Sequence, residues 1–157
     1  MIRTKTRIET LIGDRSETES GTAAIEFGLA IPLLLIMLMG VVELGYAMYE
    51  SMQVHNSVEA GALYAVQSGG DLAGTATAVV NATGTQGITA TPAPVQFCGC
   101  PSESGIVTTS CSTTCADGKT SGTYVRVSAS LAHQTILPYP GLPLPATLTA
   151  QSTIRLN

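Results

Sequence analysis

The side chains here that could do chemistry fall in two places. One is Glu26, a lone carboxylate at the mouth of a long apolar run; the other is a group of four cysteines, Cys98, Cys100, Cys111 and Cys115. Around Glu26 the order is Gly21-Thr22-Ala23-Ala24-Ile25-Glu26-Phe27: small residues, then an acid, then hydrocarbon. A small-residue site suits a protease, and a cut between Gly21 and Thr22 would leave a new α-amine four residues before Glu26. An α-amine of pKa about 8 is largely protonated at neutral pH, so on the same chain or a neighbour it can pair with the carboxylate. A partner matters, because a carboxylate near hydrocarbon costs about 2.5–3.5 kcal/mol on insertion scales. The alternative is a first-turn acid at headgroup level, favoured by the helix dipole.

The element that must carry Glu26 is a membrane helix. Phe27 to Val42 contains no charged or strongly polar side chain, about 16 residues or roughly 24 Å of helix. Counted from Thr22 the run is about 21 residues, roughly 31 Å, against a hydrocarbon core of about 30 Å. Pro32 predicts a kink or loosened turn near Gly28, whose carbonyl loses its helical donor. Four of the seven cations, Arg3, Lys5, Arg7 and Arg15, precede the span, and the next is Lys119. The positive-inside bias therefore keeps the N-terminus cytoplasmic and sends the rest across. A secretory signal would place its cut after the apolar run, where Glu43-Leu44-Gly45-Tyr46-Ala47-Met48-Tyr49 continues a helix instead.

Gly21 before the cut, Glu26 at the fifth position after it, then Phe27 and an apolar helix resemble a type IV prepilin processing site. More closely, Ala23-Ala24-Ile25-Glu26-Phe27 with Ile31-Pro32-Leu33-Leu34-Leu35 and Val42-Glu43-Leu44-Gly45 resemble the TadE-like pseudopilins of tight-adherence (Tad) pilus systems. Tyr124-Val125-Arg126-Val127, Leu137-Pro138 and Ala150-Gln151-Ser152-Thr153-Ile154-Arg155 are similar to the ends of such proteins. The resemblance implies a bacterial inner-membrane protein cut by a prepilin peptidase. Its partners would be other pilins or pseudopilins, inner-membrane pilus assembly proteins and the lipid bilayer. Carried over by position, Gly21 and Thr22 flank the scissile bond and Glu26 is the helix assembly charge. A role as minor pilin or pseudopilin fits better than bulk filament subunit, because the exported part is large compared with the very short major pilins of these systems.

Past the membrane the helix is predicted to run to about Gln67, where Ser68-Gly69-Gly70 ends it. Ala47, Val54, Val58, Ala62 and Val66 fall on one face. Gly40, Gly45, Ala60 and Gly61 permit close approach, either by neighbouring helices or by the chain's own domain. The fold class is α+β: a long N-terminal helix, then a small antiparallel β-sheet domain with a cysteine-rich loop. The expected division is a leader at 1–21, a transmembrane helix at 22–42, its periplasmic continuation at 43–67 and a β-rich domain at 68–157. Asp71 to Ala82 reads as a short helix, and Gly84 onward as loop and strand. Thr123 to Ala132 alternates as a half-buried strand, and Ala146 to Leu156 as a second. Between them Pro138, Pro140, Pro143 and Pro145 give an extended connection over 138–145, a linker or a proline-rich ligand.

The cysteines, in the loop 98–115, have a shared purpose. In an extracytoplasmic domain two disulfides are the leading explanation, worth typically about 2–4 kcal/mol each. Linking Cys98 to Cys100 would strain a very small ring, so the pairs connect one group with the other, nested or crossed. The competing reading is zinc held by all four thiolates, although C-x-C and C-x3-C spacings are unlike the usual knuckles. A redox enzyme fits less well, since only Lys119 is nearby to activate a thiol.

Composition bounds the rest. Charged residues are 11% and the net charge is −4, and that excess lies after Gly21, so the exported domain does not suit nucleic-acid phosphates. His55, on the predicted helix, and His133, after a strand, read as surface or interface residues without a catalytic constellation. No phosphate loop, metalloprotease helix or nucleophile elbow is present, and no cofactor is implied. The sequence reads as a protease substrate, not an enzyme. The alternative is an uncleaved, membrane-anchored extracytoplasmic binding module that captures a ligand or metal through its proline-rich or cysteine-rich region.

Overall fold

The computed structural model describes residues 6–136 and 144–156, with side chains from residue 21 onward. Two compact units result, one up to Glu43 and one from Leu44. A single helix, α1 (Thr6–Gln67, 62 residues), supplies all the described part of the first and the opening of the second. The α-helix continues through Gly28 and Pro32. The loosened turn expected there does not interrupt it, since a single missing donor leaves the flanking helical bonds in place. In the first unit every large apolar side chain from Ile25 to Val42 is exposed, leaving a hydrocarbon surface that water would solvate poorly.

In the second unit α1 buries one face. Ala47, Glu50, Val54, Ser57, Val58, Gly61, Ala62 and Ala65 recur at helical spacing. The face therefore ends at Ala65, not at the expected Val66, which is exposed. Ser57 is tolerated inside because its hydroxyl donates to the Gln53 carbonyl at 2.9 Å. The helix stops as glycines allow: Ser68 N–H bonds the Tyr64 carbonyl at 2.8 Å and Gly70 N–H that of Ala65 at 2.9 Å. Gly69 and Gly70 take φ of +66° and +96°, the left-handed region that favours residues without a Cβ.

The short helix α2 (Leu72–Asn81) begins on Asp71, whose carboxylate accepts from the backbone N–H of Ala73 (3.2 Å) and Gly74 (3.1 Å). Four antiparallel strands follow: β1 (Val95–Ser102), β2 (Gly105–Thr108), β3 (Gly122–Ala132) and β4 (Thr147–Arg155), in spatial order β2-β1-β3-β4. The two strands read from alternation are β3 and β4, in register from Tyr124↔Arg155 to Ala132↔Thr147. As a central strand β3 is more buried than a half-buried one, with Tyr124 and Ser128 covered on the face away from Val125, Val127, Ala129 and Leu131. These four form the core with Val54, Val58 and Ala65 of α1, Val79 of α2, Ile88 and Ala150, flanked by Leu148, Ile154 and Leu156. Of the proline connection, Pro138, Pro140 and Pro143 lie outside the described residues.

Gly61 settles how this part of α1 packs. A Cβ there would overlap Val79 Cγ2 and lie 3.1 Å from Val127 Cγ1, so the glycine seats α1 against α2 and β3 of its own domain. Gly61→Ala is expected to lower stability by about 1 kcal/mol, because overpacking of about 1–3 kcal/mol outweighs a helix-propensity gain of about 1 kcal/mol. At Gly45 a Cβ would meet nothing within 4 Å, and Gly45→Ala should be neutral or slightly stabilising. Thermal unfolding of the two variants checks the contrast, and a stabilised Gly61→Ala would contradict this packing.

Candidate functional site

The cysteines do not lie in one loop. Cys98 and Cys100 sit on β1, and the loop after β2 folds back to meet them, pairing Cys98 with Cys111 and Cys100 with Cys115. The Cα separations are 5.1 and 5.6 Å, within the range a disulfide spans. The connectivity is crossed. It uses all four sulfurs, so no thiolate in this arrangement remains for zinc, and the described residues contain no group of three metal-binding side chains. Thr109 N–H bonds the Cys98 carbonyl at 2.9 Å, while Cys115 N–H bonds the Lys119 carbonyl at 2.8 Å, so the stapled loop also has backbone order.

Pro101 is a strand residue opposite Ile106. The Thr109–Cys98 bond places the β2-facing groups of β1 at Cys98, Cys100 and Ser102, leaving Pro101 to face the other side. There the last β1–β3 pair is Gly99↔Gly122, so no ladder donor is lost. This hidden compatibility is why β1 and β2 were illegible in sequence.

A second cluster was missed. His133 is 8% exposed, and its Nδ1 lies 2.5 Å from Oε2 of Glu50, itself 6% exposed. The Tyr46 ring stands beside the imidazole with centroids 6.2 Å apart. Glu50 falls on the buried helical face between Ala47 and Val54. That position inside an otherwise apolar and small-residue stripe is the one sequence signal that pointed to a partner. His55, by contrast, is exposed, with Nδ1 2.9 Å from the Ser51 carbonyl. Buried charge needs pairing, and the pair ties α1 to the chain leaving β3.

Gly21, Thr22 and Glu26 lie in the helical first unit, all exposed. Thr22 and Glu26 are four residues apart in α1, so they share a face about one turn apart. A Cβ at Gly21 would meet nothing within 4 Å. From Gly21 onward α1 is long and apolar enough to cross a membrane. Residues 21–63 match the family model described as TadE-like protein.

Over that stretch the chain is similar to TadE-like proteins. The match begins at Gly21 and includes Thr22, Glu26 and Glu50, but reaches neither His133 nor the cysteines. The sheet and its disulfides lie outside the matched residues. No curated protein and no solved structure matches it.

Proposed function

We propose that this TadE-like chain is a minor pilin or pseudopilin that serves the biogenesis of an adhesive Tad pilus as an assembly component, not as an enzyme. The observation that carries the reading is that the family match starts at the small-residue site, Gly21, and runs on through Glu26 and the apolar stretch that is long enough to cross a membrane. The chain sits in the inner membrane with its N-terminus cytoplasmic and its disulfide-stapled sheet outside. A prepilin peptidase cuts between Gly21 and Thr22, and the new amine pairs with Glu26 on its own chain or on the next. A bond inside a helix must unwind before a protease can reach it, and Gly21, about 1 kcal/mol worse than Ala in a helix interior, eases that step.

The test is intact mass and N-terminal sequencing of protein from native membranes, with and without the peptidase. A chain starting at Thr22 only when the peptidase is present is the expected result, and Gly21→Leu should leave the leader on. Glu26→Gln should still be cut yet fail to enter the pilus. An unchanged Met1 in the presence of peptidase would overturn the reading in favour of a permanently anchored binding module.

A further inference from the structure

Glu50 commits only one oxygen to His133. Its side chain also lines a cavity of about 570 Å3 whose other walls include Tyr46, Gln86, Gly87, Leu131 and Gln134, a volume within the range of small-molecule sites. Gly87 takes φ +89°, and Gln86 and Gln134 both border the space. The wall is rich in oxygen acceptors: a carboxylate more than nine-tenths buried, a phenol and two carboxamides. We propose that this cavity binds a primary alkylammonium group, held by Glu50 and by the oxygens of Tyr46, Gln86 and Gln134.

The chemistry selects that class. An ammonium brings one positive charge and three N–H donors, which matches one carboxylate and a ring of neutral acceptors. An anion would be repelled by the Glu50 carboxylate, which borders the open space. A hard divalent cation wants about six to eight oxygens, whereas here the single acid already accepts from an imidazole. The ammonium has two possible sources, a free amine or the headgroup of an aminophospholipid. Tyr46 and Glu50 follow Val42 by only four and eight residues, about 6 and 12 Å of helix, so a headgroup is within reach of the same chemistry. The inference stands on the second unit and does not depend on the pilus reading.

Full-length protein in phosphatidylcholine nanodiscs, titrated with ethanolamine and followed by the imidazole NMR signals, tests it, with exposed His55 as internal reference. The expected result is a saturable shift of His133 alone, absent with choline, which has no N–H. Tyr46→Phe and Gln134→Ala leave the Glu50–His133 pair intact and should each weaken binding about tenfold, the usual effect of losing one bond to a charged group; Glu50→Gln should abolish it. If His133 is already shifted in phosphatidylethanolamine nanodiscs and ethanolamine adds nothing, the headgroup is the ligand. If it starts unshifted and titrates as before, the ligand is a free amine. No saturable shift, an equal response to choline, or full binding by Tyr46→Phe, Gln134→Ala and Glu50→Gln would overturn the proposal.

Discussion

Replacing Cys98, Cys100, Cys111 and Cys115 together with serine is expected to lower the stability of the sheet unit by about 5 kcal/mol. Each bond closes a loop of 13 or 15 residues, worth about 3 kcal/mol alone. Because the pairs are crossed, either bond shortens the path that the other must close, so the second adds about 2.4 kcal/mol instead of a full share. Small domains are stable by only about 5–15 kcal/mol, and this one has a modest core of valines and alanines. The quadruple variant should therefore be close to unfolded at 37 °C, with denaturant unfolding of the full chain as the measurement. Connectivity has its own readout. Serine at Cys98 and Cys111 should leave no free thiol, while serine at Cys98 and Cys115 should strand Cys100 and Cys111. A shift below about 1 kcal/mol in the quadruple variant would mean that the loop 109–121 is ornamental to this fold.

Glu50→Ala is expected to cost about 1–3 kcal/mol, the usual consequence of removing one partner of a buried hydrogen bond. The loss removes the Glu50 partner of the His133 imidazole, which is held between α1 and the chain leaving β3. His133→Ala should cost less, because the Glu50 carboxylate it leaves behind lines an open cavity and can draw water there. Glu50→Met with His133→Leu should recover most of the stability, since apolar replacement of a buried pair is often neutral. A double-mutant cycle on thermal or denaturant unfolding measures the coupling. Strict additivity of the two single changes would show that Glu50 and His133 do not stabilise one another.

Much of the architecture was open to reading from sequence because it depends on local pattern. Phe27 to Val42 is uninterrupted hydrocarbon, and nothing but a helix satisfies its backbone in a membrane. The glycines after Gln67, the Asp71 cap and the period-two alternation of β3 and β4 each act over a few residues. The inward set of β4, with Leu148, Ala150, Ile154 and Leu156, was likewise legible, since one face of a strand is decided by parity alone.

The rest lay beyond local pattern. Gly99 and Pro101 look like turn residues, and only the pairing partner of each edge of β1 shows that a proline costs no ladder bond there. Ala65 displaces Val66 from the buried face because the sheet, not the helix, decides which rows of α1 are covered. His133 is joined to Glu50 across 83 residues of sequence, a meeting no spacing rule can anticipate. The cysteine types in sequence announced a covalent staple, but the fold of the loop after β2 chose between nested and crossed pairs. By itself, then, the sequence determined the long apolar helix, its C-terminal end and the two long strands, all consequences of nearest neighbours and solvent. Tertiary structure decided the disulfide partners, the Glu50–His133 pair and the cavity beside it, because each depends on which distant backbones pack close enough to exclude water.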